Sequence, residues 1–159
     1  AGKSIRFRES DVRSVGRTAI GVRGIRLADK DKVVSLIVAE SDDPILTATE
    51  KGYGKRTQLD EYRAQARGGS GVISIKTSER NGQVVGAIQV TDEDEMMLIS
   101  DKGTLVRARA LDVSIIGRNT QGVTLINIAD DEALVSVAKI AETEDDEDES
   151  EEVVENSED

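Results

Sequence analysis

Gly71-Val72-Ile73-Ser74-Ile75 has two counterparts in this chain, Gly21-Val22-Arg23-Gly24-Ile25 and Gly122-Val123-Thr124-Leu125-Ile126. They are set 50 and 51 residues apart, and the same step holds on either side of them. Gly2, Gly52 and Gly103 head the copies, with Arg6, Arg56 and Arg107 four residues on and Asp11, Glu61 and Asp112 nine residues on. Arg17, Arg67 and Arg118 each stand four residues before the inner glycine. Self-similarity at this period signals a propeller, a solenoid or an array. The predicted units are 1–51, 52–102 and 103–141, followed by a distinct stretch, 142–159.

Within the units the pattern is that of short strands. In Ser4 to Arg8, Ile5 and Phe7 alternate with Arg6 and Arg8, the period-two signature of a half-buried strand. Val106 and Ala108 alternate with Arg107 and Arg109 in the same way. The equivalent second copy, GYGKRTQL, has weaker apolar partners and is the poorest strand signal of the three. Second strands are predicted near Val22–Leu27, Val72–Lys76 and Val123–Ile128, third strands at Val33–Val38, Val84–Val90 and Leu134–Ile140, and fourth strands at Ile45–Thr49 and Met96–Ser100. The β-branched content and the intervening turns, Ser41-Asp42-Asp43-Pro44, Asn81-Gly82 and Asp101-Lys102-Gly103, favour an all-β chain. Leu59–Ala66 is the one place where helix competes. Four strands per unit suggest propeller blades.

Composition narrows the chemistry. Phe7, Tyr53 and Tyr62 are the only aromatics, so the core is aliphatic. With neither Cys nor His, thiolate metal sites, disulfides and the usual neutral-pH base are excluded. No catalytic constellation is present, and Gly68-Gly69-Ser70-Gly71 lacks the Lys-Ser/Thr ending of a phosphate loop. No metal site is expected: Asp29, Asp31, Asp42 and Asp43 lack calcium-loop spacing. No apolar stretch approaches the roughly 20 residues of a membrane span, and no secretory signal opens the chain, so a cytoplasmic location is expected. The net charge of −11 is misleading. Residues 142–159 hold twelve acids and no base, leaving 20 acids against 21 bases over 1–141. The acidic stretch is expected to be disordered. Keeping the protein soluble and competing with polyanions for the bases are both open roles for it.

The bases recur in register. Besides the rows Arg6, Arg56, Arg107 and Arg17, Arg67, Arg118, there are Arg8 and Arg109 with Gln58 between, Arg13 and Arg63 with Ser114 in the third copy, and Arg26 and Lys76 with Asn127 third. Lys3 and Lys55 add to them. Guanidinium groups repeated along one rim suit a phosphate backbone, because each pairing releases condensed counterions and offers bidentate geometry. The competing explanation is that each arginine pairs with a nearby acid such as Asp11, Glu61 or Asp112. Scarcity of aromatics disfavours single strands, which are held by stacking, so duplex DNA is the expected partner. A protein-binding propeller scaffold is the alternative from another class, although the Trp-Asp pair of one such repeat and the aromatics of another are missing.

The runs GVRGIRL (21–27), DKVVSLIV (31–38), KGYGKRT (51–57), ISIKTSERNG (73–82), SDKGTLVRARA (100–110) and GRNTQGV (117–123) resemble the C-terminal domain of the DNA gyrase A subunit, over essentially all of residues 2–141. The topoisomerase IV A subunit, with a more degenerate array, ranks second. The resemblance implies a β-pinwheel of blades that exchange strands, with six blades in a complete domain, about three of them here. It implies a non-catalytic module that wraps duplex DNA around a basic perimeter, in a holoenzyme with the gyrase B subunit (A2B2) that introduces negative supercoils. ATP and magnesium would then act elsewhere in that assembly, with no cofactor on this chain. One departure concerns the family's Q-R-R-G-G-K-G box. Here Gln65-Ala66-Arg67-Gly68-Gly69-Ser70-Gly71 keeps Gln65, Arg67, Gly68, Gly69 and Gly71 but lacks one arginine and the lysine.

Overall fold

The computed structural model describes residues 1–141; the expected disorder of 142–159 lies outside the described residues. Nine strands form three antiparallel sheets. They are β1 (Lys3–Ser4), β2 (Ile45–Thr49), β3 (Tyr53–Thr57), β4 (Val72–Ile73), β5 (Val84–Gln89), β6 (Glu95–Ser100), β7 (Leu105–Arg109), β8 (Val123–Thr124) and β9 (Leu134–Lys139). The sheets run β1-β4, β5-β2-β3-β8 and β7-β6-β9. Three short 3-10 helices, Glu9–Asp11, Leu59–Glu61 and Ala110–Asp112, stand at the same place in each copy. The helix alternative over Leu59–Ala66 reduces to the second of these.

Sheet and sequence repeat are out of phase. β2 closes the first glycine-headed unit, yet it forms a hairpin with β3 of the second, Leu46 opposite Arg56, and its other edge takes β5, Leu46 opposite Ile88. The fourth strand of that sheet, β8, comes from the third unit, with Gly54 opposite Val123. β4 of the second unit likewise crosses to β1 of the first. The second and third units therefore each lend their inner strand to the unit before.

The inner and heading glycines explain why this exchange is written into the sequence. Gly122 has φ +82, and a Cβ there would stand 2.6 Å from the Gly54 carbonyl oxygen; Gly52 has φ +80, and a Cβ would overlap the Ile126 carbonyl oxygen. Only a residue without a side chain lets the lent strand lie this close. The Gly52 carbonyl accepts from Leu125 N (2.8 Å) and Ile126 N (3.2 Å), as the Gly2 carbonyl does from Ser74 N (2.8 Å) and Ile75 N (3.1 Å).

Burial concentrates between the second and third sheets. Leu46, Ala48, Val90, Met96, Leu98, Ala110, Val113, Ile126, Leu134 and Val137 form one aliphatic cluster, each large member contributing on the order of 2 kcal/mol of apolar burial. Ile45, Leu59 and Tyr62 make a smaller one, where the Tyr62 hydroxyl meets Ser74 Oγ at 2.9 Å.

Several strand expectations need correction. The weak second copy, GYGKRTQL, supplies β3, a central strand buried at Gly54, Lys55, Arg56 and Thr57. Ser4–Arg8 pairs only at its start, with a bridge from Arg6 to Ala64. Val72–Lys76 and Val123–Ile128 shorten to two residues each, and Val22–Leu27 forms no ladder. Val33–Val38 is not a strand, and Leu36 is 88% exposed. Its equivalents β5 and β9 pair with β2 and β6.

Candidate nucleic-acid interface

The two best-aligned arginine rows are used between units. Arg6 Nη1 donates to the carbonyls of Leu59 (3.1 Å) and Tyr62 (3.3 Å), in the 3-10 segment of the next unit. Arg56 repeats the reach: its Nε donates to Val113 O at 2.8 Å, the carbonyl equivalent to that of Tyr62, and its Nη2 to Leu111 O at 3.4 Å. Its Nη1 meets Asp92. The other row reaches backwards. Arg67 donates to the carbonyls of Asp11 (3.1 Å) and Arg23, and Arg118 to that of Ile73 (2.8 Å), equivalent to Arg23. These guanidinium groups recur because the junction between units recurs.

Lys55 and Arg56 are therefore corrected as phosphate-contacting residues. Lys55 is fully buried and Arg56 is 3% exposed, so neither presents a donor to a ligand. Arg6, Arg67 and Arg118 are half-buried and directed at main-chain carbonyls. The acid pairing that competed with the phosphate reading holds for Arg56 with Asp92 and, in the third unit, for Arg107 with Glu95 and for Arg109, which forks onto Asp112 with both bonds at 3.0 Å. The two third-unit pairs lie at the surface, where such contacts are worth little.

A different set stays free. Among the described residues, Lys3, Arg8, Arg13, Arg17, Arg26, Arg63 and Lys76 are exposed, with no ion pair or side-chain hydrogen bond. Arg13 and Arg63 each lie two residues past a 3-10 helix, at equivalent places in successive units. Arg26 and Lys76 are also equivalent, and Arg8 immediately precedes the first 3-10 helix. Arg23 joins this set; sequence reading passed over it because Ile73 and Thr124 stand at its counterparts. Arg80, also unforeseen, lies over the Tyr53 ring, 4.8 Å from its centroid, a cation–π contact. The box-like segment sits at the first junction, where Gly68 N donates to Gly24 O at 2.7 Å and Arg26 N to Gly69 O at 2.8 Å.

Residues 1–40, 43–91 and 94–141 match the family described as DNA gyrase C-terminal domain, beta-propeller. The second and third spans open just ahead of β2 and β6, and so follow the sheets rather than the glycine register. The DNA gyrase A subunit of Klebsiella oxytoca is 61% identical over 147 residues, covering 92% of this chain and 17% of that relative. Its Escherichia coli counterpart is 58% identical over the same shares, and that of Pseudomonas aeruginosa 54% over 142 residues, covering 89% and 15%. The chain thus spans about a sixth of the length of these relatives. A solved gyrase A C-terminal domain superposes with a TM-score of 0.82 at 33% identity, covering 88% of this chain and 48% of that one. A C-terminal domain of DNA topoisomerase IV gives 0.81 at 27% identity, covering 87% and 44%. The strand exchange, the three matched spans and these relatives together establish that the chain belongs to the DNA gyrase C-terminal domain family.

Proposed function

We propose that this chain is a non-catalytic module that binds duplex DNA and bends it around exposed bases, within a gyrase holoenzyme. The observation that carries the reading is the pair of free rows, Arg13 with Arg63 and Arg26 with Lys76, shared by the first two units, with Ser114 and Asn127 at the third-unit places, and committed to no protein partner among the described residues. Repetition at the period of the fold spaces cations regularly, which matches a regular polyanion better than a single compact ligand. Arg8, Arg17 and Lys3 extend the set. The topology of the fold does not separate gyrase from topoisomerase IV, since the two superpositions are nearly equal; the higher sequence identity favours gyrase. ATP-driven negative supercoiling, an A2B2 assembly with the B subunit, and a cytoplasmic, nucleoid-associated location belong to the same proposal. Support for them comes from the relatives, which are named as A subunits of DNA gyrase.

The test is a fluorescence anisotropy titration of the 159-residue chain against duplex DNA across a salt series. The fourfold variant Arg8→Ala, Arg13→Ala, Arg63→Ala, Lys76→Ala should flatten the plot of log affinity against log salt by about one unit of slope for each phosphate no longer engaged. All four side chains are exposed, so the melting temperature should move little. An unchanged slope in a folded variant would remove these residues from the interface. Binding to a polyanion of any geometry, with no preference for a duplex, would reduce the reading to general electrostatics.

A further inference from the structure

Charge is not shared evenly along the array. The three matched spans hold nine bases against five acids in 1–40, seven against five in 43–91, and five against seven in 94–141, net charges of +4, +2 and −2. Partners deepen the contrast, because all five bases of the last span are committed. Lys102 meets Asp131, Arg107 meets Glu95, and Arg109 forks onto Asp112. Lys139 bonds Asp94 at 2.8 Å, and Arg118 Nη1 donates to Ile73 O at 2.8 Å. In the first span Lys3, Arg8, Arg13, Arg17, Arg23 and Arg26 are exposed and, among the described residues, have neither an acid nor a carbonyl partner. Arg63 and Lys76 have the same freedom in the second. Row by row, the third unit drops the base: Ser114 replaces Arg13 and Arg63, Asn127 replaces Arg26 and Lys76, and Thr124 stands where the first unit has Arg23.

We propose that the duplex is held by the first two units and leaves the array before the third, so that the DNA-binding surface of this chain has a direction. The inference rests on the duplex-DNA reading above. The surface pairs of the third unit are weak enough to open, yet opening does not turn them into contacts. A phosphate that takes Arg109 from Asp112 leaves that carboxylate beside it, so the exchange neutralises no net charge and releases no counterion. The same holds for Arg107 and Glu95. Arg118 is half-buried and would have to abandon a main-chain acceptor. On the first unit Arg13, Arg17, Arg23 and Arg26 fall in 13–26, a stretch without an acid. Each phosphate engaged there is a net gain.

The test compares two double variants of the 159-residue chain in anisotropy titrations against duplex DNA across a salt series. Both remove two exposed charges. Arg13→Ala with Arg26→Ala should lower the slope of log affinity against log salt by about two units, and Arg107→Ala with Arg109→Ala should leave it at the parent value. A second measurement does not depend on those substitutions. The sequence has no cysteine, so a single introduced one can carry a tethered iron–EDTA group. Attached through Ser14→Cys it should cut the bound duplex, and attached through Ser114→Cys it should not; both serines are exposed. Equal losses of slope from the two double variants, or equal cutting from the two labels, would overturn the directional surface and leave DNA binding itself standing. A parent chain that binds no duplex would instead sink the DNA reading, and this inference with it.

Discussion

Gly122→Ala should be among the most damaging single-methyl changes in this protein, lowering stability by about 3 kcal/mol or more. Two costs add. The residue sits at φ +82, where an L side chain is strained by about 1 kcal/mol. The new Cβ would also stand 2.6 Å from the Gly54 oxygen and 3.0 Å from its carbonyl carbon, so backbone would have to move. Overpacking against rigid neighbours typically costs about 1–3 kcal/mol. The atoms forced apart are those joining β3 to β8, so the lent strand is lost rather than adjusted. Gly103→Ala is the control. It has φ +84, but nothing lies within 4 Å of its added Cβ, so it should cost only about 1 kcal/mol. Urea unfolding monitored by circular dichroism measures both. Equal losses at the two positions would mean that backbone conformation, and not close approach, dictates the inner glycine.

Arg56→Ala should cost about 3 kcal/mol without altering how the folded protein binds DNA. The side chain fills the interior between units, and its removal leaves the Val113 carbonyl without its 2.8 Å donor. An orphaned buried acceptor costs about 1–3 kcal/mol, and the apolar stem gives up packing in addition. Asp92 adds little, because at 64% exposure water replaces its partner. Arg56→Lys should recover only part of the loss, since an ammonium cannot reproduce the fork that reaches Val113, Leu111 and Asp92 together. The urea midpoint should fall, while the salt slope measured on folded protein stays that of the parent. A slope reduced as much as in the fourfold surface variant would return Arg56 to the DNA-facing set.

The strands that sequence revealed were those with a local signal. β7 alternates because one face is covered and the other wet, and β2, β5, β6 and β9 are rich in apolar residues. β3 was obscured because its residues are buried on both faces, which erases the alternation. Exchange between units was marked only by its glycines, since pairing between residues some 70 positions apart leaves no periodic trace. Val33–Val38 carried full β-propensity and formed no strand, because a ladder needs a partner as well as a preference.

The site was legible as a pattern and not as a set of roles. Arg6 and Arg56 recur as regularly as Arg13 and Arg63, and nothing in the spacing says which pair faces carbonyls and which faces solvent. Their acceptors are main-chain oxygens of another unit, and a carbonyl has no letter in the sequence. Lys55 offered one clue. It is a lysine with no counterpart at Ile5 or Val106, in a strand that has arginine beside it in every copy.

Borrowing across the array has a consequence for how it comes apart. Melting the second unit would withdraw β4 from the sheet before it and strip β3 from beneath β8, so the damage would spread in both directions along the chain. Denaturation should then be concerted over neighbouring units, unlike a row of beads that lets go one at a time.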